Sequence, residues 1–171
     1  VAVGNPCRII RRLAPAVTFR PATDADKDEL ITLFQDTVLS VNAANYTAEE
    51  VADWASCANL PGHMEELLAT LYFIVAVNAE GQILGFTSIR KDGYLHSMFI
   101  HKDHQGEGIA SALLQQIEAY ACEQGIRQIF SEVSITARPF FEHKGYVVTC
   151  EQQMQANHLW LTNYRMKKLL T

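Results

Sequence analysis

Charge is scarce in this chain of 171 residues: only 19% are Asp, Glu, Lys or Arg, and acids outnumber bases 19 to 14, for a formal net charge of -5. Without an excess of positive charge there is no broad surface for a phosphate backbone, which argues against a general nucleic-acid binder. Long hydrophobic runs are missing too. The longest wholly apolar stretch, Leu71 to Val77, falls far short of the ~20 residues a helix needs to cross a bilayer, so no membrane span is expected. The four cysteines, Cys7, Cys57, Cys122 and Cys150, form neither a CxxC pair nor a short metal-ligand spacing, and read as reduced thiols of a cytoplasmic protein. Near the start, Arg11 and Arg12 follow Ile9 and Ile10 instead of preceding a long apolar region, so no secretory leader is expected. Internal repeats and low-complexity tracts are absent. What the chain does have is hydrophobic residues, 49% of the total, enough for a folded chain with one core and too many for a disordered one.

Residues 1–16, aperiodic and containing Gly4, Pro6 and Pro15, read as a loosely ordered arm, and 17–171 as a single domain. Val17 to Arg20 alternates as a short strand closed by Pro21. Thr23 with Asp26, and later Thr47 with Glu50, match the capping box that opens a helix. Leu30, Leu33, Phe34 and Val38 give the first helix one apolar face; Val51, Trp54, Ala55 and Ala58 do so for the second. Pro61-Gly62 precedes a short helix with Met64, Leu67 and Leu68. The segment 71–77 is bounded by turn residues and suits a strand buried on both faces. Asn78 to Gly81 and Asp92-Gly93 are hairpin turns leading to strands over 82–90 and 94–100. A polar loop, His101 to Glu107, then precedes a helix over 108–124 that Gly125 caps. A strand at 127–134, a helix at 138–144 and a closing hairpin of strands at 146–153 and 158–169 complete the chain. The strand, loop, helix and strand in the middle imply a right-handed parallel crossover. The class is α+β: a mostly antiparallel sheet with one parallel βαβ pair, flanked by helices.

The stretch Gln105-Gly106-Glu107-Gly108-Ile109-Ala110 stands between a strand and a helix. A helix N-terminus carries unpaired N–H groups and about half a positive charge, and glycines let a phosphate approach that backbone. The plain alternative is an ordinary turn. A P-loop would need GxxxxGK followed by Ser or Thr, and no lysine stands in that register. A dinucleotide fingerprint would need a third glycine where Ser111 stands. An acidic residue about 20 positions on exists in Glu132, but hairpins precede this βα turn, whereas a dinucleotide-binding fold would begin with it.

The segment Met98-Phe-Ile-His-Lys-Asp-His-Gln-Gly-Glu-Gly-Ile-Ala110 resembles the acetyl-CoA signature of the GNAT N-acetyltransferase superfamily, Gln/Arg-x-x-Gly-x-Gly/Ala. Downstream, Ser134-Ile-Thr-Ala-Arg-Pro-Phe-Phe-Glu-His-Lys-Gly-Tyr146 resembles the second CoA-side segment of that family, and Phe19-Arg-Pro-Ala-Thr-Asp24 its opening strand and helix start. The likeness covers roughly 17–169. The closing Leu161-Thr-Asn-Tyr-Arg-Met166 is similar to a bacterial branch, the YafP-type acetyltransferases. The resemblance implies the GNAT fold and acetyl-CoA as co-substrate without a metal. It also implies an amine-bearing acceptor, and a homodimer is compatible with it. By position, backbone groups of Met98, Phe99 and Ile100 would bind the pantetheine arm and polarise the thioester. Backbone groups of Gln105, Gly106, Glu107, Gly108, Ile109 and Ala110 would hold the diphosphate. Ser134 would contact pantetheine, and Phe140 and Phe141 would line the CoA cleft, a role compatible with core packing.

Acetyl transfer to an amine needs a neutral amine, and with a pKa near ~10.4 only about one alkyl amine in 10³ is neutral at pH 7. A proton acceptor therefore matters. Glu132, sharing a strand face with Ser134, is the first candidate, and its plain alternative is a solvated strand carboxylate. His96, with an imidazole suited to the task and set on a face with Met98, is the second, and its plain alternative is a core histidine. His101 and His104 flank the loop as surface histidines. Two departures from the family pattern stand out. Phe141 occupies the place of a tyrosine whose hydroxyl can protonate the thiolate, which leaves Tyr46, Tyr94 and Tyr164 unplaced and keeps a non-catalytic acyl-CoA sensor as the alternative. Glu107 stands where Lys or Arg is common. As a first-turn residue it would favour the helix dipole but repel a phosphate. The acceptor is expected under a roof formed by 41–46 and the helix bearing Trp54, with Tyr46 positioned to hold an amine. The sequence leaves the acceptor itself open.

Overall fold

The computed structural model describes residues 16–171; all but the last residue of the expected N-terminal arm, Cys7 included, lies outside the described residues. Seven strands make one sheet: β1 (Thr18–Pro21), β2 (Tyr72–Val77), β3 (Ile83–Ile89), β4 (Tyr94–Ile100), β5 (Gln128–Ser134), β6 (Val147–Gln155) and β7 (Trp160–Leu169). Their order is β1-β2-β3-β4-β5-β7-β6, antiparallel throughout except for β4 against β5. The helices are α1 (Lys27–Ser40), α2 (Ala48–Ser56), α3 (His63–Thr70), α4 (Ile109–Glu123) and α5 (Arg138–His143).

The two capping boxes form as the sequence predicts, with one difference. Thr47 and Glu50 open α2 directly, whereas Thr23 and Asp26 close a single 3-10 turn, Asp24–Asp26, from which α1 continues. The Asp26 carboxylate is shared: its Oδ2 accepts the Thr23 N–H at 2.8 Å, and Arg20 donates to both oxygens at 2.8 and 2.9 Å.

β2 is apolar on both faces because each face has its own helices. Ile74 and Ala76 pack toward α4, against Leu113, Leu114 and Ile117; Phe73 and Val75 pack toward α1 and α3, against Leu30, Leu33 and Met64. A third cluster joins Val38 and Tyr46 to Val51 and Ala55 of α2 and to Leu161 of β7. That cluster fastens the α1–α2 corner to the far half of the sheet.

Asp53, on α2, reinforces the corner. Its Oδ2 accepts the backbone N–H groups of Asn157, His158 and Leu159 at 3.0, 2.9 and 2.9 Å, so the β6–β7 turn is capped from another element. Those N–H groups hold the carboxyl below its ordinary range. A carboxyl with a lowered folded pKa contributes its full stabilisation above the unfolded value, and loses it as pH falls through the folded one. Asp53→Ala is accordingly expected to melt at a lower temperature than the wild type at pH 7, with the gap narrowing as the solution is acidified. A gap that stays constant from pH 7 into the acid range, followed by circular dichroism, would remove this role.

Candidate active site

β4 and β5 run together only at Tyr94↔Phe130 and Leu95↔Ser131 and part beyond. Three local features set this separation. Gly93 has φ 95°, and a Cβ there would collide with the Gln128 carbonyl oxygen, so only glycine lets β5 come this close; its own carbonyl accepts the Phe130 N–H at 3.1 Å. At the parting point the buried Ser131 hydroxyl donates to the Leu95 carbonyl at 2.7 Å, satisfying an acceptor that β5 has left. Finally, β4 carries a bulge: Ser88 faces Ser97 while Ile89 faces Leu95, so His96 is the extra residue. A bulge shifts the alternation of side chains by one position. Leu95, not His96, therefore joins the α4-side core with Ile100, with Met98 packed against it. The reading of His96 as a core histidine is thus overturned: it is exposed along the strand and looks into a cleft.

The bulge also sets which backbone groups are offered at the parted edge. His101 N–H bonds to the Leu84 carbonyl, so Phe99 lies in the hydrogen-bonded phase of the β3 ladder, and Met98 and Ile100 point their N–H and C=O groups the other way. The Ile100 carbonyl is already taken by Thr37 Oγ1 at 2.9 Å and Gln105 Nε2 at 2.7 Å. Both Met98 groups and the Ile100 N–H are left facing the gap, while the Phe99 backbone serves the ladder and its ring meets Phe34 and Trp54 under the roof.

Gln105 thus fastens the following loop to the end of β4, with a second bond to the His101 carbonyl. Gly108, at φ 86°, is the N-cap of α4, and among the described residues no side chain caps that helix. The first helical bond returns from Ala112 N–H to the Gly108 carbonyl, so the amides of Ile109, Ala110 and Ser111 precede the ladder. A Cβ added at Gly108 would meet nothing within 4 Å among the described residues: the approach is open. Glu107 lies ahead of the N-cap, not in the first turn as expected, and its carboxylate is 3.0 Å from His104 Nδ1.

The gap opens into one cleft of about 730 Å³ that runs from Gly108 and Ile109 to a roof of α1, α2 and α3. Met98, Ile100, Gln105, Gly106, Gly108, Ile109, Ala110, Ser134, Phe140 and Phe141 all border it, as do Glu132, His96 and Tyr46. Among the described residues, Glu132 is the only Asp, Glu, Lys or Arg in its lining. Tyr94 donates to Glu132 Oε2 at 3.4 Å, and burial, aided by that carboxylate, pushes the phenol up to about 12. Desolvation by the cleft walls pushes the His96 imidazole below its usual value, with repulsion from His63 and Arg90 adding to it.

Tyr46 and Ser134 have duties beyond those expected, and Phe141 combines the cleft wall with core packing. Tyr46 cannot offer an unengaged hydroxyl to an amine: its OH donates to the Thr162 carbonyl at 2.7 Å and accepts from Ile135 N–H at 2.9 Å, bracing the roof against β7 and β5. The Ser134 hydroxyl accepts Ala137 N–H at 3.1 Å and so shapes the turn into α5. Phe141 is buried in the core, edge-on to Phe140 and Tyr146, whose hydroxyl is spent on Glu118.

Sequence reasoning missed Tyr94 as the partner of Glu132. It also missed Thr136, whose Oγ1 is buried beside the cleft without a hydrogen-bond partner among the described residues. Period-two spacing placed Glu132 and Ser134 on one face, but the signal for Tyr94 needed the cross-strand register. On the outer flank of α4 a shallower hollow of about 360 Å³ shares Gly108 and Ser111 with the cleft and brings Lys144 and Lys168 near them. Among the described residues no group of three or more His, Cys, Asp or Glu side chains could hold a metal ion, and no helix is long and apolar enough to cross a membrane.

Comparison with known proteins agrees with this geometry. Residues 42–168 match the Acetyltransferase (GNAT) domain. The chain is 26% identical over 151 residues to the uncharacterized N-acetyltransferase YafP of Escherichia coli K12, covering 88% of this chain and 95% of that one. A GCN5-related N-acetyltransferase from Rhodopseudomonas palustris superposes with a TM-score of 0.85 at 26% identity, over 91% of this chain and 96% of its own. YncA of Salmonella typhimurium, whose structure was solved with acetyl-CoA, shares the fold at 20% identity and a TM-score of 0.61, over 91% and 95% of the two chains. Parted strands, an uncapped helix start and a domain match over most of the sequence converge: the chain belongs to the GNAT family of acetyltransferases.

Proposed function

We propose that this protein moves the acetyl group of acetyl-CoA directly to a primary amine, with both substrates bound at once in the cleft. The observation that carries the reading is the parting of β4 and β5 beside the open start of α4. Backbone donors there can hold a diphosphate and a thioester, while the same cleft continues to Glu132 and His96 under the helical roof. Acetyl-CoA fits these residues: the amides of Ile109 to Ser111 suit its diphosphate, and Met98 and Ile100 present strand-edge groups to its pantetheine amides. The unpartnered Thr136 hydroxyl is a further donor of the kind those amides accept.

In the reaction the ammonium first gives up one proton, the amine nitrogen bonds to the acetyl carbon as the carbon–sulfur bond breaks, and nitrogen then loses a second proton; one of the two ends on the CoA thiolate and the other in solvent. Glu132, the sole carboxylate of the described lining, receives the ammonium and takes up its proton, held in place by Tyr94. His96, kept neutral by desolvation, passes a proton outward. The thiolate of an ordinary alkyl thiol has a pKa near ~8.5, so it needs no strong acid, and Phe141 in place of a tyrosine does not stop turnover.

Release of free thiol from acetyl-CoA in the presence of pooled primary amines tests the reading. Tight acetyl-CoA binding without turnover across the pool would favour the non-catalytic sensor that Phe141 keeps in view. The His96 assignment makes a separate forecast. The acid limb of kcat/KM in the wild type should have its midpoint below ~6.5, the ordinary imidazole value, because desolvation by the cleft walls disfavours the cation. His96→Gln should lose that inflection and about tenfold or more in rate. An unchanged pH profile in the variant would exclude His96 from proton transfer.

A further inference from the structure

We infer that the acceptor is a monoamine with an apolar, aromatic or branched hydrocarbon body and no carboxylate; this rests on the transferase reading above and adds its substrate class. The acceptor side of the cleft is built of rings. Phe34 of α1, Trp54 of α2 and Phe99 of β4 meet edge to face, with centroids 4.9 Å apart for Phe34–Phe99, 6.1 Å for Trp54–Phe99 and 6.4 Å for Phe34–Trp54. All three are only partly buried and border the cleft, with Met64 and Leu67 of α3 beside them. Helices α1 and α2 could have closed this corner with fully buried side chains, as they do at Leu33, Val38 and Val51. Instead three rings from three elements keep faces open to the same space.

The charges of the lining sharpen the class. Glu132 alone among the described residues there can pair with a cation, so a second ammonium, as in a polyamine or an aminoglycoside, would enter without a partner. None of the described lysines and arginines borders the cleft, so an acceptor carboxylate would meet no permanent cation there, only the imidazoles of His63, His96 and His104. Burying either charge unpaired is costly, whereas a ring or branched alkyl group gains both area and edge-to-face contacts.

Phenylethylamine, spermidine and phenylalanine, compared by thiol release from acetyl-CoA, test this. The expected kcat/KM for phenylethylamine exceeds that for the other two by about 10² or more. Titration of the CoA-loaded protein with the same three compounds provides a readout independent of turnover. Binding of phenylethylamine alone, with no thiol release, would uphold the substrate class while sinking the transferase reading. Preference for spermidine or phenylalanine in either assay, or equal treatment of all three, would overturn the inference. Trp54→Leu, which keeps an apolar wall, should raise KM for phenylethylamine about tenfold and leave KM for acetyl-CoA unchanged. An unchanged KM for phenylethylamine in that variant would also count against it.

Discussion

Replacing Gly108 by Trp is expected to abolish acetyl-CoA binding in calorimetry, a loss of at least about 10³ in affinity, or ~4 kcal/mol, while the protein stays folded. Two effects of that substitution have to be kept apart. Gly108 sits at φ 86°, a conformation that costs an ordinary L-residue roughly 1–2 kcal/mol. That cost falls on stability, and against the ~5–15 kcal/mol of a typical domain it leaves the fold intact. The second effect is steric and falls on the ligand. Because a Cβ here meets nothing within 4 Å among the described residues, an indole has room without disturbing the core, but it fills the space in front of the α4 amides. Gly108→Ala separates the two: it carries the same backbone strain with little bulk, and should keep acetyl-CoA affinity within about tenfold of the wild type. The midpoint of thermal unfolding, measured on both variants, should fall by similar amounts. If the Gly108→Trp variant binds acetyl-CoA as the wild type does, this helix start does not hold the diphosphate.

Most of the fold was legible in the sequence because local signals and the overall architecture agree. Asp92-Gly93 marked the β3–β4 hairpin, and the strand at 94–100 is found at Tyr94–Ile100. The doubly apolar run after Leu71 is β2, covered by helices on both sides. The glycine loop before α4 stood out in the sequence, because a positive φ at an open helix start is a demand that glycine answers best. Three features were out of reach, and each depends on contacts between residues far apart in the chain. The bulge at His96 is a property of two strands in register, so the period-two argument that put His96 on a face with Met98 could not see it. The Tyr46 hydroxyl is consumed by Thr162 and Ile135, about 90 or more positions away, so its availability for an amine could not be judged from the residue type. The three-ring wall assembles from α1, α2 and β4. In each helix its contributor, Phe34 or Trp54, is an ordinary member of an apolar stripe, and only the packing distinguishes a core ring from one facing a cleft.

The largest effect on turnover is expected at Glu132. Gln is close to it in shape and can still accept a hydrogen bond from Tyr94, yet it neither attracts an ammonium nor takes its proton. Loss of a general base usually costs 10²–10⁴ in rate, and with the amine neutral in only about one molecule in 10³ at pH 7 the enzyme depends on such a group. Glu132→Gln should therefore lower kcat/KM for the amine by about 10² or more, ~2.7 kcal/mol in the barrier, with acetyl-CoA affinity unchanged within about twofold. Raising the pH supplies neutral amine from solution without help from the protein. The deficit of the variant should thus shrink as pH rises from 7 toward 10, a trend that a merely structural carboxylate would not produce. Tyr94→Phe provides the complementary measurement. It removes the hydroxyl 3.4 Å from the carboxylate but leaves the ring against Phe130, and should cost less than Glu132→Gln while affecting the same step. Full activity of Glu132→Gln at pH 7 would take the proton-acceptor role from this residue and leave His96 to carry it alone.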